Sequence, residues 1–286
     1  MKAQSLFFNH KHRLRAFWRI LIFVCALFLG ISPLLLINNS YIQFFGAVLI
    51  LISILYLNSR YLDKIDFLEY GLVFKRATFV QLFIGLLIGF FSVVLILLIG
   101  ESTGIISVTK VKWALNISIL LFALKMLFVG ILEETFFRGY LFTTIYDGAR
   151  SGKTANKQAL LTGLLISSLI FGFAHVSTSN ASFFSTLFLS VNGMVWCIPF
   201  ILTKNLGMPI GLHTAWNFTQ TQIGFTMSGN KAVNSIYQIE NTGPDLLTGG
   251  EYGPEAGILG LAGYMIMLLL SLTYLILSKK YKNRAP

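Results

Sequence analysis

Eight stretches of apolar sequence, at about 16–37, 41–57, 79–99, 114–146, 159–176, 182–203, 207–225 and 256–277, constrain this chain more than any other feature. Each has the length of a bilayer-crossing helix, and Gly, Pro, Asn or charged residues separate one from the next. A hydrocarbon core offers no water to an unpaired backbone N–H or C=O, so runs of this kind fold as helices. Only 12% of the residues are charged and 55% are hydrophobic. Soluble domains carry about a quarter charged residues, so a water-soluble chain is excluded. The expected architecture is an all-α polytopic membrane protein, with about eight transmembrane helices around an intramembrane polar cavity.

The net charge of +11 would suit a nucleic-acid binder, but its placement argues otherwise. Lys2, Lys11, Arg13, Arg15 and Arg19 lead into the first run, and Lys279, Lys280, Lys282 and Arg284 follow the last. Alternate connections repeat the bias with Arg60, Lys64, Lys75, Arg76, Arg150, Lys153, Lys157 and Lys204. The opposite connections hold only Lys110, Lys112 and Lys231, and the longest, 226–255, carries Glu240, Asp245, Glu251 and Glu255. The positive-inside rule then places both termini in the cytoplasm, with no nucleic-acid partner implied. The first run is long enough to span and reads as a retained helix. Cys25 and Cys197 lie within apolar runs and read as packing residues. Gly85-Leu-Leu-Ile-Gly89 fits the spacing that lets two membrane helices approach closely.

The expected organisation is a basic cytoplasmic tail at 1–15, helices one to three over 16–113, a catalytic core of helices four to seven over 114–225, an extracytoplasmic loop at 226–255, and a last helix with its basic tail over 256–286. The fourth run is too long for one simple span and is expected to continue past Gly139 as an interfacial helix. The 226–255 loop reads either as a lid or as a plain connection.

Ionisable residues inside a membrane are costly and mark function. Nine of the eleven acids sort to loops or helix ends, which leaves the adjacent pair Glu133 and Glu134. His175 and His213 lie in or at the end of apolar runs, and Lys125 and Arg138 fall in the fourth run, where Lys125 is expected to snorkel or pair locally. Glu134 and Arg138 are four residues apart with the acid first, the favourable order for an ion pair on one helix face. Glu133 points about 100° away and is left free as a general base and then acid. His213 and Asn217 share a face in the seventh run, and Phe171 and His175 share one in the fifth. The imidazole and carboxamide offer N–H donors to an oxyanion. Alternatively, Glu133, His175 and His213 supply three ligands to a catalytic Zn2+ with an open fourth position, although no H-E-x-x-H motif is present. At 1.5 Å per residue, His175 is expected about 25 Å from the cytoplasmic face and His213 about 9 Å.

Glu133-Glu134-Thr-Phe-Phe-Arg138, Phe171-Gly-Phe-Ala-His175 and His213-Thr-Ala-Trp-Asn217, in that order on separate membrane helices, resemble the CPBP family of intramembrane endopeptidases. That family includes the type II CAAX prenyl proteases and bacterial bacteriocin-immunity and abortive-infection proteins. The resemblance implies that Glu133 activates the attacking water beside His175. It further implies that His213 and Asn217 meet the oxyanion, and that Glu134 and Arg138 brace the first glutamate. It also implies a bacterial plasma membrane, and a peptide or protein substrate reaching the bilayer. Two other classes fit the same residues: a non-proteolytic scaffold or immunity protein acting through a membrane signalling or envelope protein, and a proton-coupled transporter, for which no inverted repeat is visible.

Overall fold

A computed structural model describes residues 4–9, 12–111, 117–150, 156–231 and 235–282. Lys2, His10, Lys11, Lys112, Lys153 and Arg284 lie outside the described residues. The chain runs through helices Ala16–Ile31 (α1), Ser40–Asn58 (α2) and Arg76–Ser102 (α3), then strand Ile106–Val111 (β1), then helix Ile117–Glu134 (α4). A wider π-helical segment, Thr135–Phe142, joins α4 to the short helix Thr143–Arg150 (α5). Helices Asn156–Phe173 (α6), Phe183–Thr203 (α7) and Gly207–Ile223 (α8) follow, then strand Tyr237–Asn241 (β2) and helix Ile258–Lys282 (α9).

Local chemistry sets several boundaries. The Asn39 carboxamide accepts from the backbone N–H groups of Tyr41 and Ile42 at the start of α2. Ser182 and Ser185 form a reciprocal capping box that opens α7. Gly224, with φ +103°, ends α8 by returning its N–H to the last turn.

Among the described residues, five helical stretches are long and apolar enough to cross a membrane: Ala16–Leu36, Ser40–Asp63, Arg76–Ser102, Phe183–Thr203 and Ile258–Ser278. Phe28, Leu29, Phe83, Phe91, Leu98 and Leu269 on these stretches are all more than half exposed, as lipid-facing side chains are. The chain is therefore a multi-pass, mostly helical membrane protein. Of the helices outside that set, α4, α6 and α8 are short or diluted by polar residues. They are the ones that carry or lead into the three motifs, so the polar groups that weaken the hydropathy signal are those that build the site.

The purely helical expectation needs one correction. β1 and β2 pair antiparallel, Ile106 opposite Asn241 and Val111 opposite Tyr237, with an irregularity between Val108 and Lys110. Ladder bonds thus tie the chain after α3 to the loop before α9. That loop is largely structured rather than a plain connection: Gly229, at φ +79°, backs onto the Ser179 carbonyl so closely that a Cβ would sit 1.7 Å from it.

The close approach expected of Gly85 and Gly89 occurs, with α8 as the partner. A Cβ on Gly85 would meet the Met208 carbonyl at 2.5 Å, one on Gly89 the Ala215 Cβ at 2.8 Å, and one on Gly211 the Leu82 carbonyl at 2.3 Å. Small residues on both helices let α3 and α8 pack backbone to backbone, and this fixes α8, with His213 and Asn217, in the middle of the bundle. Of the cysteines, Cys197 is buried as expected, whereas Cys25 is exposed.

Charge sorting also has exceptions. Arg19 lies inside α1 at 2% exposure and donates to Asp63 and Asp147. Asp63 in turn accepts from Asn58 Nδ2 and the Tyr70 hydroxyl, and the Tyr140 hydroxyl donates to the Arg19 carbonyl. These residues pin α1 to the chain around α2 and α5; they are a buried network rather than orientation charges alone.

Candidate active site

The site starts from the break in the fourth run. Regular α-helix stops at Glu134, and the π-helical turns that follow bring Arg138 back against it, Nη1 to Oε1 at 2.8 Å. Insertions of this kind recur at functional sites because they turn side chains inward that a regular helix would turn away. Glu134 is fully buried, and the same Oε1 lies 2.7 Å from His213 Nδ1. An oxygen already held by a guanidinium acts as an acceptor, which assigns the His213 proton to Nδ1. Arg138 also donates to the Gly193 carbonyl at 3.3 Å and lies over the Phe171 ring, 4.3 Å from its centroid.

Glu134 was expected to brace Glu133; in the structure it holds His213. Glu133 points elsewhere, as helix geometry predicts. Its side chain is 26% exposed, its Oε2 has no hydrogen-bond partner among the described residues, and that oxygen is 3.9 Å from His213 Nε2. His213 is thus gripped at one ring nitrogen, while the other faces the free carboxylate. Trp196 completes the grip, stacked on the His213 ring with centroids 4.3 Å apart.

His175 lies just past the end of α6, in a turn, and its Nδ1 donates to the Phe171 carbonyl at 2.8 Å. A carbonyl only accepts, so neutral His175 keeps a lone pair on Nε2. The difference in depth expected between His175 and His213 is bridged by the Phe171 ring, 5.1 Å from the first and 6.3 Å from the second.

Glu133, His175, His213 and Asn217 all line one cavity of about 530 Å3. One face of α4, from Ser118 through Phe122, Lys125 and Val129 to Glu133, forms a wall of it; His213, Asn217 and Thr221 of α8 form another. Met227, Ser228, Asn230 and Lys231 of the loop also line it, and Asn230 and Lys231 are exposed. Among the described residues Lys125 pairs with no acid; its ammonium sits over the Phe44 ring at 5.4 Å.

The zinc alternative does not find its ligands. Among the described residues no three His, Cys, Asp or Glu side chains come together so as to hold a metal ion, so Glu133, His175 and His213 do not form a ligand triad.

Sequence reasoning missed two residues at the site. Trp196 looked like an ordinary apolar residue of its run. Glu255 looked like a loop acid, yet it is 2% exposed and lines the cavity. Its Oε1 accepts from Trp216 Nε1 at 3.2 Å, and its Oε2 accepts from the Ser228 N–H at 2.7 Å and hydroxyl at 2.9 Å. Burial raises its carboxyl above the usual range, against the pull of these donors. Close by, Thr178 donates to the Tyr252 hydroxyl, which burial pushes up to about 12. Together these contacts fasten the loop over the His175 turn.

Comparison with curated proteins and with solved structures returned no match. The family model described as type II CAAX prenyl endopeptidase Rce1-like matches residues 113–219, a segment that holds all three motifs and every cavity-lining residue of α4 and α8 up to Phe218. Over that segment, the chain is similar to the Rce1-like type II CAAX prenyl endopeptidases.

Proposed function

We propose that this protein is an intramembrane endopeptidase in which Glu133 activates water within the cavity. The observation that carries this reading is the division of labour between adjacent glutamates: Glu134 is fully buried with its Oε1 engaged by both Arg138 and His213, while Glu133 lines the cavity and, among the described residues, makes no hydrogen bond at Oε2. In the proposed step, the Glu133 carboxylate takes a proton from water as its oxygen bonds to the scissile carbonyl carbon. The C–N bond then breaks as Glu133 returns that proton to the leaving nitrogen, releasing a carboxylic acid and an amine.

The Asn217 amide donates N–H to the oxyanion, and His213, one helical turn before it and oriented by Glu134 and Trp196, stands beside it. The His175 Nε2 lone pair accepts from the attacking water. Arg138 and Phe171 hold this arrangement from behind. No step runs through a metal ion. The charge bias further supports a topology with both termini in the cytoplasm.

The test compares membrane peptides from cells carrying the wild type, Glu133→Gln and His175→Ala by quantitative proteomics, followed by assay of the purified proteins on the peptides that differ. Loss of cleavage in both variants is expected. Full activity in either refutes the assignment, and complementation of a deletion strain by Glu133→Gln would favour a scaffold role instead.

A further inference from the structure

A second hollow shares no lining residue with the Glu133 cavity. It is a groove of about 710 Å3 with α1 on one side and α5 and α6 on the other. At Gly148 the two sides touch, since a Cβ there would meet the Ala16 Cβ at 2.5 Å. The groove is open to lipid: Phe17, Leu21, Val24, Ile166 and Ile170 all line it and are all exposed. Val24 lies eight residues into α1, about 12 Å along its axis, and Ile166 lies ten residues into α6, about 15 Å. Half of a hydrocarbon core is about 15 Å thick, so the groove has the length of one leaflet.

The end at the start of the first span is cationic. Arg15 immediately precedes that span and is exposed, Arg19 is one turn deeper, and both line the groove. Arg19 is 2% exposed; its two Nη atoms donate to Asp63 and Asp147, but its Nε has no acceptor among the described residues. Arg13 joins the same cluster through Asp147 at 2.9 Å. Three guanidiniums thus gather here around two carboxylates among the described residues. A buried donor without an acceptor is costly, and the guanidinium fork matches phosphate oxygens. The chain before α1 folds back at this level: Trp18 Nε1 donates to the Leu6 carbonyl at 3.2 Å, and the Phe7 ring stacks on Trp18 at 4.9 Å. Leu6, Phe7 and Phe8 are exposed, and apolar side chains beside basic ones suit the headgroup region.

We propose that this groove binds one anionic phospholipid, its phosphate on Arg15 and Arg19 and an acyl chain running past Val24 and Ile166, so that the lipid clamps α1 to α5 and α6. A water-soluble phosphate would leave the apolar length empty. A zwitterionic lipid would bring its own cation to a cluster already rich in them. The site is independent of the chemistry in the Glu133 cavity.

The probes are dioleoylphosphatidylglycerol, dioleoylphosphatidylcholine and glycerol phosphate, each added to full-length protein in a neutral detergent. Native mass spectrometry counts retained lipid, and thermal unfolding reads the clamp. Wild type is expected to retain one phosphatidylglycerol, about tenfold more tightly than phosphatidylcholine, and to melt higher in its presence, while glycerol phosphate does neither. Arg15→Gln should erase the preference between the lipids and Arg15→Lys should keep most of it. Val24→Trp fills the groove and should lose both lipids, whereas Leu98→Trp, at an exposed position outside it, should behave as wild type.

Equal retention of the two lipids by wild type overturns the proposal, as does an undiminished preference in folded Arg15→Gln. Retention of phosphatidylglycerol by Val24→Trp at the wild-type level overturns it as well. A melting shift from glycerol phosphate as large as that from the lipid shows a free-phosphate site instead. If Arg15→Gln does not fold, the choice between lipids by wild type and the loss in Val24→Trp still decide.

Discussion

Replacing each of the adjacent glutamates in turn should separate stability from activity. Glu134→Ala removes the acceptor shared by Arg138 Nη1 and His213 Nδ1, at 2.8 and 2.7 Å. Arg138 is 2% exposed and cannot turn to water, and its remaining bond, to the Gly193 carbonyl at 3.3 Å, is long. Breaking a buried pair by deleting one partner costs about 3–5 kcal/mol, because the surviving charge stays desolvated. For a chain of this size that corresponds to a fall in melting temperature on the order of 10 °C. Glu133→Gln disturbs no hydrogen bond to Oε2 and sits on a cavity, so its effect on stability should stay within about 0.5 kcal/mol. Its effect on turnover should be about 100-fold or more if it is the base. Thermal unfolding of both variants in one detergent, followed by Trp fluorescence beside the peptidase assay, measures the two effects. A Glu134→Ala protein as stable as wild type, or a Glu133→Gln protein destabilised by several degrees, would refute the division of roles.

Three other outcomes follow from packing and charge. Gly211→Val should lower the yield of folded protein sharply, because its branched side chain would meet the Leu82 carbonyl where even a Cβ comes within 2.3 Å; size-exclusion profiles check this, with exposed Leu29→Met as the tolerated control. Asp63→Asn should cost about 3–5 kcal/mol in thermal unfolding, since it uncouples Arg19 and reverses one of the donors that Asp63 accepts. Glu255 gives a pH effect. Its folded-state affinity for a proton is raised, so its contribution favours the folded chain at low pH and is lost as pH climbs above the ordinary carboxylate range. Melting temperature should therefore fall with rising pH through that window more steeply in wild type than in Glu255→Gln.

Much of the fold was legible because lipid imposes a simple rule on sequence. Backbone groups must be satisfied within each segment, so the apolar runs had to be helices, and the Gly85–Gly89 spacing announced a close helix contact. The runs at 114–146, 159–176 and 207–225 were visible even though the polar residues of the site dilute them. The ordered motifs picked out Glu133, Glu134, Arg138, Phe171, His175, His213 and Asn217, because ionisable and amide groups stand out against an apolar background. Arg19, Asp63 and Glu255 did not stand out: each lies near a run boundary, where a charge is ordinarily solvated, and only their distant partners make them buried.

Sequence alone determined the membrane solvent, the helical class, the charge asymmetry, and the residues around which a site would form. Tertiary structure decided how those residues divide. Helical spacing pairs Glu134 with Arg138, but only the packing of α8 against α3 and α4 puts His213 on that same carboxylate and leaves Glu133 open to the cavity. The reason is the range of the forces. Periodicity is written in neighbours along the chain, whereas a hydrogen bond between residues 79 positions apart depends on backbones brought together by glycines on other helices.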